Sequence, residues 1–277
     1  MTKPLTMAVL VSGLWANLAL SEMPLVLDVS AETPDFCQTD PSGKFAGNGA
    51  DFCGPVSVSN SFVYLSKHGF PKLQPQAASG HEAQIALIHR LAAPEFMDTF
   101  DRKGTSPPRL MAGVQKLVEE AGYKIVRLEQ QGWKEATKQY PRQAEVPSLT
   151  WMKEGLAAPG GSVWLNVGWY KVDAATNDYV RFGGHWVTLV GYGKDAAGNE
   201  DPLTVLIHDP APRTGKTPVT QRVRLSELTT GNLQRPISPT EDRRRPAKGF
   251  WEMKDEMKLK AGADAAILDA VVVLEVK

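Results

Sequence analysis

The stretch Asp51-Phe52-Cys53-Gly54-Pro55-Val56-Ser57-Val58-Ser59-Asn60-Ser61-Phe62-Val63-Tyr64-Leu65 organises the rest of this chain. Pro55 suits the first turn of a helix, where its missing N–H is not needed, and Val58, Phe62 and Leu65 follow at i, i+4 and i+7. Lys67 and His68 then fall in the last turn, with Gly69 as a left-handed cap. Cys53 therefore stands at a helix N-terminus. There the macrodipole and the free backbone N–H groups favour a thiolate, the nucleophilic form of cysteine. Gly54 beside it leaves room for a substrate to approach. The alternatives for Cys53 are a buried small hydrophobe or half of a disulfide with Cys37, the only other cysteine.

The chain has 277 residues, 42% hydrophobic and 22% charged, with 31 basic against 31 acidic side chains. That is enough apolar material for one large or two small globular domains. Balanced charge argues against nucleic acid as a main partner, because phosphate binding needs a concentrated basic surface. The one basic run, Arg243-Arg244-Arg245, reads as a solvated loop. Two cysteines make no disulfide framework, and no Cys/His spacing suggests structural zinc. His81-Glu82 with His89 misses the i, i+4 spacing of a zinc-peptidase helix, so neither metal nor cofactor is expected.

Residues 1–21 carry Lys3 and a mostly apolar run from Met7 to Leu20, too short and polar for a stable membrane span. Read as a secretory signal ending near Ala19-Leu20-Ser21, they place the protein outside the cytoplasm or in the periplasm. Read as an N-terminal helix or strand packed on the domain, they leave a cytoplasmic protein. Residues 22–277 form the folded part. Pro24 to Val29 reads as a short strand and 33–52 as an irregular loop rich in Gly, Pro, Asp and Asn. Helices are expected over His81 to Leu91, from Pro107-Pro108 to Gly122, and from Pro147 to Gly155. Strands are expected at Tyr123 to Leu128, Ser162 to Tyr170, His185 to Tyr192, Leu203 to His208, Gln221 to Leu225 and Ile267 to Val276. Helices lead and strands follow, which predicts an α+β fold with N-terminal helices on an antiparallel sheet.

The strands at 185–192 and 203–208 are joined by ten turn-forming residues, Gly193 to Pro202, and so pair as a hairpin. The start of one then lies beside the end of the other, which brings His185 to Asp209. A histidine held by a carboxylate near a helix-terminal cysteine can take the thiol proton and later give it to a leaving group. His208 points to the opposite face of its strand, as a surface or satisfied core residue. His68 and His89 lie near helix ends, where solvated or capping roles are expected.

Cys53-Gly54-Pro55 opening a helix, Gly184-His185-Trp186-Val187 opening a strand and His208-Asp209-Pro210-Ala211 ending the next resemble the papain-like cysteine peptidases of the C39-like group. Thr105 and the helix that runs on to Gly122 are similar to that group's middle region. The resemblance spans roughly Leu25 to Ala211. It implies a papain-like fold, a Cys53, His185, Asp209 triad, a peptide or protein substrate, and a glutamine before the cysteine that stabilises the oxyanion. Gln38 is the match for that glutamine, farther from the cysteine than in papain, with Asn48 as second choice. No ATP-binding or membrane-spanning segments follow, unlike the transporter-linked members. Residues of about 212–260 have no counterpart and read as an elaboration covering one side of the cleft. The activity implied is peptide hydrolysis through a thioester. A transglutaminase-like acyltransferase with the same triad, or a non-catalytic binding domain of the same fold, would share these residues.

Overall fold

Twelve residues at the end of the chain, Ala265–Val276, are almost all Ala, Ile, Leu and Val, and eleven of them are buried. Such a run suits a strand covered on both faces. The computed structural model describes residues 23–77, 79–100, 104–212, 219–238 and 241–277; the expected signal segment, 1–21, lies outside them. Among the described residues are four α-helices: α1 (Cys53–Lys67), α2 (Gly80–Ala92), α3 (Pro107–Glu120) and α4 (Leu149–Ala157). The strands are β1 (Leu27–Asp28), β2 (Ile125–Gly132), β3 (Arg142–Ala144), β4 (Gly161–Asp173), β5 (Asp178–Lys194) and β6 (Glu200–His208). They continue with β7 (Thr220–Glu227), β8 (Asn232–Ser238), β9 (Glu241–Pro246), β10 (Trp251–Met253) and β11 (Ala265–Val276). The fold is α+β.

The pairings close on themselves. β4 pairs with β5, β5 with β6, β6 with β7, β7 with β10, β10 with β11, and β11 returns to β4, every contact antiparallel. Alternation then sorts the side chains. Val163, Leu165 and Val167 of β4, Val187 and Leu189 of β5, Val205 and Ile207 of β6, and Val271 and Val273 of β11 fill one cluster inside the ring. On the opposite face Trp164 and Trp186, both fully buried, meet Val58, Phe62 and Leu65 of α1. The expectation of a purely antiparallel sheet is corrected at two places, because β2 with β3 and β5 with β8 run parallel.

Helix α1 is buried along most of its length, including the small polar residues Ser57, Ser59, Asn60 and Ser61. Each has a partner, as a buried polar group requires. Ser57 Oγ donates to Trp186 O, Trp164 Nε1 donates to Ser61 Oγ, and Asn60 Oδ1 accepts from Phe36 N and Gln84 Nε2. These bonds fix the helix in rotation and height on the sheet, and so fix its first residue, Cys53.

Three further expectations are revised. The strand foreseen from Tyr123 begins at Ile125, because Tyr123 N donates to Val118 O and still closes α3. The segment foreseen as an elaboration supplies the ring strands β7 and β10, with β8 and β9 as a hairpin attached to the start of β5. The expected solvated loop at Arg243-Arg244-Arg245 is strand β9, where Arg244 pairs with Asp178 at 3.0 Å and Arg245 lies over the Trp133 ring. Asp178 and Glu145 thus supply counter-charges for Arg244 and Arg245, while Arg243 is exposed opposite Arg235.

Candidate active site

Cys53 is the first residue of α1, and Phe52 before it has no side-chain cap. Helix geometry leaves the N–H groups of the first turn without intrahelical acceptors, which makes this end a seat for negative charge. Cys53 is 8% exposed and its thiol is free, as is that of Cys37, so the disulfide alternative is not formed. Cys37 instead lies 3.3 Å from Thr39 Oγ1. Thr105 lies over Gly54: a Cβ there would stand 3.0 Å from Thr105 Oγ1. The missing side chain thus admits the protein's own loop, where room for a substrate was expected. Trp186 Nε1 donates to Thr105 O at 2.8 Å and holds that loop in place.

His185 continues the inward parity of Val187 and Leu189, and Asp209 continues that of Val205 and Ile207. The two meet at the rim of the ring. His185 Nε2 donates to Asp209 Oδ1 at 2.6 Å, and both side chains are buried. Asp209 Oδ1 also accepts from Ala211 N at 2.8 Å, which orients the carboxylate toward the ring. Trp169 stacks on the imidazole with ring centroids 6.0 Å apart and covers it. Burial by itself would push the imidazolium down, but the Asp209 carboxylate and the hydrogen bonds to Asp209 and Cys53 outweigh it and raise His185 to about 10. The thiol is thus the imidazole's second partner, and the ring carries a proton at neutral pH.

The other sequence candidates fall outside this cluster. Gln38 is buried, and its Nε2 donates to Gly49 O at 2.9 Å and Ala50 O at 3.0 Å, so both amide hydrogens are engaged by the backbone ahead of Cys53. Its own N–H donates to Pro210 O at 2.9 Å. Gln38 therefore ties the turn after Asp209 to the loop that leads into Cys53. Asn48 is exposed and left-handed, at φ 52°, and neither it nor Gln38 lines the cavity at Cys53. His208 is a satisfied core residue, bonded to Pro34 O and Thr220 Oγ1. His68 bonds Tyr64 O at its helix end, as a capping role predicts, whereas His89 is neither capping nor merely solvated: it reaches Gly43 O in the distant loop and packs against Phe45.

A cavity of about 420 Å³ opens beside the thiol. Besides Cys53 and His185 it is lined by Asp51, Arg109, Lys134, Glu135, Arg181 and Arg235. Arg235 comes from β8, so part of the late segment lines this cavity. Beneath the cavity Asp269 is fully buried and accepts from Trp133 Nε1 at 2.9 Å, Tyr170 Oη at 2.5 Å and Arg181 Nε at 2.5 Å. Sequence reasoning passed over this network. The signal was a carboxylate in the middle of an apolar run, flanked by Leu268 and Ala270, since a buried charge demands a counter-charge.

No protein-family model matches the chain, and no curated protein matches it. The site is therefore interpreted from its own geometry.

Proposed function

We propose that the chain is a cysteine-type peptidase of papain-like fold that hydrolyses peptide bonds by acyl transfer through Cys53. The observation that carries this reading is the placement of His185 between the Asp209 carboxylate and the thiol at the start of α1. The protonated imidazole and the helix terminus both favour negative charge on the sulfur. The sulfur attacks the scissile carbonyl, and the oxygen of the resulting tetrahedral intermediate is stabilised by the first-turn N–H of Cys53. His185 gives its proton to the departing amine and then accepts one from the water that opens the thioester. Asp209 keeps the ring in orientation throughout.

The test is alkylation with iodoacetamide alongside hydrolysis of a peptide library. Cys53→Ala should abolish both, and Cys37→Ala should leave both. Labelling confined to Cys37, or hydrolysis surviving in Cys53→Ala, would overturn the assignment. Adding a primary amine and following its incorporation separates hydrolysis from acyl transfer to an amine.

A further inference from the structure

The cavity beside Cys53 has an unequal charge. Four cationic side chains, Arg109, Lys134, Arg181 and Arg235, face two carboxylates, Asp51 and Glu135. Two of the cations are already occupied. Arg109 donates to Asp98 O at 2.7 Å and Gly104 O at 2.8 Å, and Arg235 pairs with Glu135 at 3.1 Å. Arg181 spends Nε on Asp269, which leaves the far edge of its guanidinium lying over Gly184, where a Cβ would stand 2.2 Å from Nη2. That edge is one residue from His185. Lys134 is 8% exposed, and among the described residues its ammonium has no hydrogen-bond or ion-pair partner. An ammonium so far removed from water and without an ion-pair partner is costly, and an anion entering the cavity would supply one.

Building on the peptidase reading, we propose that this cavity binds a carboxylate of the peptide substrate, either an acidic side chain or the C-terminal α-carboxylate, between Lys134 and Arg181. Both residues stand on rigid supports, Lys134 directly after the β2 end that pairs with β11 and Arg181 through Asp269 of β11 itself. Burial and then the Arg181 charge push Lys134 down to about 7, with Asp269 and Glu135 opposing. An incoming carboxylate restores its charge and is held as an ion pair shielded from water. Arg181 lies over Gly184 beside His185, and both cations line the cavity that holds the thiol, so the group they hold lies close to the scissile bond.

The experiment has two arms. In the first, the wild-type protein is given peptide pairs that differ only as Glu against Gln, or as a free against an amidated C-terminus. One pair should show about 10- to 100-fold higher kcat/KM for its charged member, which identifies the source of the carboxylate. Equal values in both pairs would overturn the inference and leave the peptidase reading intact. The second arm needs no peptide hydrolysis: the rate of Cys53 alkylation by anionic iodoacetate is divided by that for neutral iodoacetamide. Lys134→Met should lower this ratio about tenfold and Lys134→Arg should keep it near wild type. An altered ratio in a protein that cleaves no peptide would retain the anion site and sink the peptidase reading. If Lys134→Met does not fold, the first arm alone decides.

Discussion

The backbone N–H of Gln38 donates to Pro210 O, and the side-chain amide of the same residue donates to Gly49 O and Ala50 O. One residue therefore joins the turn that follows Asp209 to the loop that leads into Cys53. In Gln38→Ala the carbonyl of Ala50 loses its donor and that of Gly49 keeps only Phe52 N, at a cost of about 1–3 kcal/mol in stability as well as a loss of activity. A pure oxyanion donor would behave differently, lowering kcat about 10²–10³ with stability unchanged. Urea unfolding of the variant, run beside its kinetics, separates the two. Asn48→Ala should stay within a few-fold of wild type, because Asn48 is exposed and away from the cavity.

Asp209→Asn preserves the shape of the acid but stabilises the wrong ring tautomer of His185. A drop of about 10⁴ in kcat is expected, by analogy with the same change in serine-type triads. Activity within a few-fold of wild type would mean that another group orients the imidazole.

The raised value of His185 sets an alkaline limit. Because the folded protein keeps the imidazolium up to about 10, the general acid of the proposed mechanism is present throughout the neutral range and is lost only as pH climbs through that value. The alkaline limb of kcat/KM should therefore fall near 10. In Asp209→Asn the largest force raising it is gone, and the limb should move down toward the ordinary histidine range. A wild-type limb already falling near 7 would contradict the ion-paired site.

Asp269→Asn removes the counter-charge of Arg181 while keeping an acceptor for Trp133 and Tyr170. A guanidinium buried without its carboxylate should cost about 3–5 kcal/mol. The unfolding midpoint reports this directly, and an unchanged midpoint would mean that water or another acceptor replaces the charge.

Much of this site was legible in the chain itself. The Pro55 helix start, the apolar spacing behind it and the turn-forming link from Gly193 to Pro202 are local, so they fixed Cys53 at a helix terminus and brought His185 near Asp209 without any knowledge of the rest. Parity along a strand is local too, and it separated Asp209 from His208. Only the tertiary structure decided the closure of β4 onto β11, the counter-charges that meet Arg244 and Arg245, and the engagement of Gln38 with backbone carbonyls. The same holds for Lys134, Arg181 and Asp269, which come from three separate strand ends or strands and carry no motif. Hydrogen-bond partners and counter-charges across such distances depend on how the sheet closes, and nothing in the spacing of a single chain segment encodes that.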